Sequence, residues 1–219
     1  MKRLIILGTG GNCLDILDAV VAVNRRAGTA IYECAGFLDD NSALHGRELQ
    51  GVRVIGSLAD SGRFPDCVFV NGIGSPSNFW RKPDIMRTTG LAAERFESII
   101  HPQASVSSLA RLGRGCIALA GAAVGACAEI GDHVFLLQGT IISHDCRLGE
   151  HVSVASGACL SGGVQVGTAS YVGANASVRS GVKIGTRSLV GIGSVVLKDV
   201  ADNTIVVGNP ARVLRPTVP

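Results

Sequence analysis

Residues 130–166 read IGDHVFLLQGTIISHDCRLGEHVSVASGACLSGGVQV, and every sixth residue of the run is a branched aliphatic: Ile130, Leu136, Ile142, Leu148, Val154, Leu160 and Val166. The same phase extends back through Val124, Ala118 and Leu112 to Val106, and forward through Val172, Val178, Ile184 and Val190 to Val196. Fifteen of these sixteen positions are branched aliphatics. An α-helix repeats every 3.6 residues and a half-buried strand every 2, so neither holds this phase over such a length. A period of six marks a solenoid, in which each turn buries its apolar side only by stacking on its neighbours.

The residue after the aliphatic is often glycine (Gly113, Gly125, Gly131, Gly149, Gly167, Gly173, Gly185 and Gly191), and the residue four after it is mostly small or β-branched. This predicts a short strand with one inward aliphatic, then a sharp corner that the glycine turns at no steric cost. Three such sides close a coil of eighteen residues, seen in the echo Leu112-Gly113, Ile130-Gly131, Leu148-Gly149, Val166-Gly167 and Ile184-Gly185. The array makes about five coils, and at roughly 4.8 Å between hydrogen-bonded neighbours the prism is on the order of 25 Å long.

The bulk numbers bound the function classes. The chain of 219 residues is 47% hydrophobic and 17% charged. Its apolar runs are short and broken by Gly or Asp, well below the roughly 20 residues of a membrane span. A soluble protein is expected. The apolar run Leu4 to Leu7 is too short for a signal peptide. The seven cysteines are odd in number and lack a C-x-x-C pair, which predicts reduced thiols in the cytoplasm rather than disulfides or zinc. A net charge of +3 without a basic cluster argues against nucleic acid.

Upstream of the array the pattern is different. Leu4 to Leu7 reads as a buried strand that ends in Gly8-Thr9-Gly10-Gly11-Asn12, and the spacing of the apolar residues from Leu14 to Val23 predicts a helix to about Ala27. Strand, glycine turn and helix open a Rossmann-like βαβ unit, where backbone N–H groups at the helix start can meet a phosphate. A second strand, Ile31 to Leu38, ends in Asp39-Asp40, where dinucleotide folds hold a ribose hydroxyl. A short strand around Val52 to Ile55, a helix from Ser57 to about Gly62, and a strand Cys67 to Val70 follow; the last runs into a second glycine loop at Gly72 and Gly74. Phe79 to Thr89 is expected to be helical with Pro83 near its start, and Phe96 to Ile100 to be a final strand. His101-Pro102 marks the boundary, giving an α/β domain over residues 1–101 and a solenoid domain over 102–219. The tail Gly208-Asn209-Pro210-Ala211-Arg212 breaks the period and caps the prism, since a free solenoid end exposes unpaired backbone.

The hexads together with Gly-Asn-Pro-Ala-Arg resemble the left-handed β-helix acyltransferases of the hexapeptide-repeat superfamily. The amino-terminal glycine loop, Phe37-Leu38-Asp39-Asp40, Ile99-Ile100-His101-Pro102 and His144-Asp145-Cys146 narrow this to the bacterial sugar O/N-acyltransferases of the sialic acid O-acetyltransferase type, over nearly the whole chain. The resemblance implies that the small domain holds a sugar nucleotide, through Gly10, Gly11, Asn12, Asp39, Asp40 and Gly74, and that homotrimers hold acetyl-CoA between neighbouring prisms. One departure stands out: the family usually has His after the glycine pair, whereas Asn12 stands here, able to hydrogen-bond a phosphate or hydroxyl but not to carry charge.

Acetyl transfer from a thioester needs a base for the acceptor's proton, donors for the oxyanion, and two substrates held together. His144 suits the base, since an imidazole accepts a proton near neutrality, and the family implies Asp145 as its orienting carboxylate. Adjacent residues on a flat strand point to opposite faces, so the pair can meet only at a corner; Glu129 is the alternative carboxylate. Ala126 and Gly162, one coil before and after, leave space beside His144. His133 and His151, eighteen apart, are expected to stack about 5 Å apart on solvent-facing phases, and without a third ligand no metal is expected. By resemblance the acetyl-CoA contacts fall at Ser153, Gly162, Ala174, Ile192 and Gly193, with Lys198 and Arg212 as cations for its phosphates. The expected activity is acetyl-CoA-dependent N-acetylation of a nucleotide-linked aminodeoxy sugar for surface glycans. Its rivals are O-acetylation of sialic acid or another sugar hydroxyl, and a non-catalytic carbohydrate-binding or structural β-helix. Because such a prism encloses no cleft, the missing wall is expected from a neighbouring subunit.

Overall fold

The structure is a computed structural model and describes residues 1–217. Strands β1 (Lys2–Leu7), β2 (Tyr32–Leu38), β3 (Glu48–Leu49), β4 (Val52–Gly56) and β5 (Cys67–Asn71) form one sheet in the order β3-β4-β2-β1-β5, parallel except for β3. Leu4 to Leu7 are wholly buried in β1, as expected of a central parallel strand covered on both faces. Helix α1 (Gly11–Ala27) follows the first glycine loop and is stopped by Gly28, whose φ of 66° is the left-handed cap that glycine adopts readily. Helix α2 (Lys82–Thr88) follows a short 3-10 turn at Phe79–Arg81, with Pro83 in its first turn, where the missing N–H costs no intrahelical bond. The expected helix after Ser57 is a 3-10 turn, Leu58–Arg63.

The strand expected at Phe96 to Ile100 divides. Phe96 bridges to Phe69 of β5, whereas Ile99–Ile100 leaves the α/β sheet and pairs with Ile117–Ala118 as the first rung of the solenoid. The solenoid itself is a left-handed, three-faced parallel β-helix. One face, eight strands from Ile99–Ile100 to Arg212–Pro216, lies under the α/β domain and is the covered face. The second has six strands, from Ser105–Val106 to Val195–Val196, and the third five, from Arg111–Leu112 to Lys183–Ile184. Registers advance by eighteen at each rung, for example Ile142 to Leu160 and Leu160 to Val178. The predicted aliphatics fill the interior with the small residues four places later, such as Ala128, Ala158 and Ala176, each wholly buried. The chain's last described strands, Thr204–Val207 and Arg212–Pro216, turn back antiparallel on the covered face and close that end.

The corners work differently from the expectation. The residue that turns each corner lies three places after the aliphatic, and from Gly115 to Gly193 this residue has positive φ, whether it is glycine or His133, Asp145, His151 or Asn175. The glycine directly after the aliphatic serves close packing instead. A Cβ on Gly125 would stand 2.7 Å from the backbone nitrogen of His144 in the next coil, which no side chain could tolerate.

The α/β domain is fastened to the covered face by apolar contacts of Ile16, Val20 and Leu4 with Ile99, Ile117 and Phe135. This buries the edge that carries His133 and His151. Their rings stack at 4.9 Å with planes 5° apart, at the predicted spacing, and Phe96 meets His133 edge-on at 4.6 Å. They do not face solvent as their phase implied: His151 is only 8% exposed. Burial, with cationic Lys82 and its sister ring nearby, pushes the His151 imidazole down to about 3, so it is neutral near pH 7. Among the described residues no group of three or more His, Cys, Asp or Glu side chains converges as a metal site.

Candidate active site

A cleft of about 700 Å³ opens at the carboxyl ends of the parallel strands, where open α/β sheets bind ligands. Gly10, Gly11, Asn12, Asp39, Asp40 and Gly74 all line it. Gly10 precedes the 17-residue α1, and added Cβ atoms on Gly10 and Gly11 would meet nothing within 4 Å. The first-turn N–H groups and the positive end of the helix dipole therefore face open space that an anion can enter. Asp39 is held by the Thr9 hydroxyl, which donates to it at 2.7 Å, and Asp40 accepts the Leu58 N–H at 2.9 Å. The Asn12 amide donates to the Gly74 carbonyl at 3.0 Å and so joins the two glycine loops.

The floor of the cleft includes a residue the sequence did not suggest. Tyr171 reaches in from the covered face of the prism, its ring 6.0 Å from Phe79, and burial pushes its phenol pKa up. Arg81 and Asn78 line the same end.

His144 and Asp145 sit on the edge between the second and third faces. Asp145 is the corner residue, with φ of 58°, and this turn removes the flat-strand objection: its Oδ2 lies 2.7 Å from His144 Nδ1. Glu129 is engaged elsewhere, on the third face, with Arg147 at 3.5 Å and Arg111 at 3.7 Å. One coil on, a Cβ at Gly162 would stand 2.6 Å from His144 Nε2, so the ring takes the space that a side chain there would fill. Cys146 points inward, wholly buried, its thiol donating to the Ser161 carbonyl at 3.2 Å. Burial raises its pKa, the opposite of an activated nucleophile.

A three-sided prism sets the edge carrying His144 opposite the covered face, and Tyr171 of that face lines the cleft. Within one protomer, cleft and dyad thus lie on different sides of the solenoid.

No protein-family model matches the chain, and no curated protein matches it either. Solved structures do. The chain is similar to the GDP-perosamine N-acetyltransferase of Caulobacter crescentus, solved with CoA and GDP-perosamine, at 30% identity over 98% of each chain with a TM-score of 0.82. The chain belongs to the hexapeptide-repeat sugar acyltransferases. The acetyltransferase domain of PglB from Neisseria gonorrhoeae, in complex with acetyl coenzyme A, matches over 97% of this chain and 99% of its own at 28% identity, TM-score 0.85. WeeI from Acinetobacter baumannii shares the fold at 22% identity, TM-score 0.81.

In this acyltransferase the residues expected at the coenzyme are distributed over several places. Gly162 adjoins His144. Ala174, Ile192 and Gly193 lie along the edge between the covered and second faces, where Ile192 is 77% exposed, a large apolar side chain without cover. Lys198 and Arg212 line one cavity of about 360 Å³ near the carboxyl-terminal end. Ser153 is apart from all of these: it is 3% exposed in the domain junction, and its hydroxyl accepts a hydrogen bond from Lys82 Nζ at 3.0 Å. Phase in the repeat could have shown that Ser153 belongs to the same face as Ile117 and Phe135. That the α/β domain lies on this face, and that Lys82 meets Ser153 and Phe79 approaches Tyr171 across it, depends on contacts between distant segments that no local pattern carries.

Proposed function

We propose that this acyltransferase moves the acetyl group of acetyl-CoA to the amine of an aminodeoxy sugar carried on a nucleoside diphosphate, a building block for surface glycans. One observation carries the reading: the cleft domain and the prism align together, over 98% of the chain, with an N-acetyltransferase holding CoA and GDP-perosamine. The cleft chemistry suits such an acceptor. The α1 N-terminus at Gly10 and Gly11 meets the pyrophosphate, and Asp39 and Asp40 have carboxylate oxygens for sugar hydroxyls.

In the proposed reaction Asp145 takes the Nδ1 proton of His144 in a hydrogen bond, which leaves the lone pair on Nε2. The amine attacks the thioester carbonyl and passes its proton to Nε2; the C–S bond then breaks and the sulfur takes that proton. Asp145 stabilises the transient imidazolium. Acetyl-CoA would lie along the prism edges past Gly162, Ala174, Ile192 and Gly193, its phosphates near Lys198 and Arg212. Since a protomer's own cleft and dyad lie on different sides, the His144 edge of a neighbouring copy completes each site in a homotrimer. Use of acetyl-CoA, with seven free cysteines, fits the cytoplasm.

The test is thiol release from acetyl-CoA with a panel of nucleotide-linked aminosugars and free sialic acid, with mass spectrometry of the product. Acetylation of an amine on a nucleotide sugar is expected. His144→Ala should reduce the rate on the order of 10²-fold or more with an unchanged melting temperature; equal rates would refute the role of His144, and acetylated sialic acid alone would refute the acceptor class.

A further inference from the structure

Lys82, the first residue of α2, is 1% exposed, at the heart of the domain junction. Among the described residues its ammonium has no carboxylate partner; it donates to Ser153 Oγ at 3.0 Å and to the His133 carbonyl at 3.4 Å. Burial alone pushes its pKa down to about 7. An unpaired lysine in such a place is costly, and a methionine of similar length would fill the same volume without that cost. Its stem shows what the lysine holds. A Cβ added to Gly74 would stand 3.2 Å from Lys82 Cδ, so the Gly74 loop rests directly on the stem. The Gly74 carbonyl is the acceptor of the Asn12 amide. The residue before Lys82, Arg81, and one after it, Ile85, line the same cleft.

We propose that Lys82 is a positioning residue, which pins the Gly74 loop and the start of α2 to the prism through Ser153 and so sets the shape of the acceptor cleft. The proposal rests on the reading of the cleft as a nucleotide-sugar site. Lys82 touches neither substrate; it acts through Gly74, Asn12 and Arg81. Its loss should weaken nucleotide binding and spare coenzyme binding, since Gly162 and the His144 edge lie on the other side of the prism.

The experiment compares intact wild type, Lys82→Met and Ser153→Ala by calorimetric titration with UDP, GDP, dTDP and acetyl-CoA, alongside melting temperatures. For whichever nucleotide binds the wild type, Lys82→Met should lose about 10-fold in affinity, the equivalent of roughly one hydrogen bond to the nucleotide. Ser153→Ala, which keeps the lysine and removes one of its two acceptors, should lose about 3-fold. Acetyl-CoA affinity should stay within about 2-fold, with the Lys82→Met melting temperature at or above wild type. Unchanged nucleotide affinity in a folded Lys82→Met overturns the proposal, as does parallel loss of both ligands with a lowered melting temperature. If Lys82→Met does not fold, Ser153→Ala decides on the same criteria. A wild type that binds none of the three nucleotides refutes the nucleotide-sugar reading itself, and this inference with it.

Discussion

Substituting Gly162 by alanine isolates the geometry of His144 from everything else in the protein. A Cβ there would stand 2.5 Å from His144 Cε1 and 2.6 Å from Nε2, whereas ordinary contact begins near 3.5 Å. The ring must withdraw by about 1 Å, and for the base proposed here a misplacement of that size costs on the order of 10²-fold in rate, about 2.7 kcal/mol of transition-state stabilisation. The backbone has no objection to the substitution. The same corner position carries Ala126 one coil below His144 and Ser180 one coil above Gly162, and Gly162 does not have positive φ. His144 is largely exposed, 69% by side chain, so it can swing outward without disturbing the core. Gly162→Ala should therefore melt within about 2 °C of wild type, as expected for a surface change of less than 0.5 kcal/mol, while kcat/KM for acetyl transfer falls on the order of 10²-fold. The assay is thiol release at saturating acetyl-CoA, with a melting curve on the same preparation. A Gly162→Ala enzyme within 3-fold of wild type would refute the placement of the reacting atoms beside Nε2.

Three further outcomes follow from the same geometry. Cys146→Ser should keep activity within about 3-fold, since the thiol is buried and its pKa raised; loss of activity with the fold intact would restore an acyl-cysteine route. Lys82, neutralised by burial down to about 7 against 10.5 ordinarily, is protonated in the unfolded chain but not in the folded one between those values. Wild-type stability should thus rise with pH from 7 toward 10.5 relative to Lys82→Met, by as much as about 4 kcal/mol. The groups facing it are the Cys116 thiol and the His133 and His151 rings; denaturation in urea at pH 7, 8 and 9 checks the sign, and parallel curves refute it. Finally, co-expressing an inactive His144→Ala chain with an inactive chain blocked in its cleft, for example Gly11→Trp, should return measurable activity, because mixed oligomers contain sites built from one sound cleft and one sound dyad. No recovery in co-purified mixed oligomers would place cleft and dyad of one site on the same chain.

The solenoid was legible because its signal repeats: an inward aliphatic every six residues is a local rule, and Ile142, Leu160 and Val178 obey it on successive coils. The cleft was legible for a related reason, since a glycine loop between a buried strand and a helix carries its own geometry: Gly10, Gly11 and Asn12 of that loop line the cavity, together with Asp39 and Asp40 from the end of the second strand and Gly74 from the second glycine loop. The corners were not legible because glycine is permissive in two ways. At Gly125 its missing side chain admits the next coil, while the left-handed turn falls on the residue two places later, where even Cys127 is found. The pairing of His144 with Asp145 became possible only through that turn. The buried histidines, Ser153, Lys82 and Tyr171 were out of reach because their surroundings are made by one domain lying on another, and the periodicity that marks an outward position says nothing of what comes to cover it.

The unbroken sequence of corners makes the prism tolerant of change only in whole steps. Loss of a single residue would rotate every later side chain out of the interior, whereas removal of eighteen at once, such as residues 165–182, rejoins Val164 to Lys183 in register and shortens the rod by about 4.8 Å. Such a scaffold varies by a ruler with one graduation. Across evolution the length of the rod can change by whole coils while the coils that remain keep their register and their buried aliphatics.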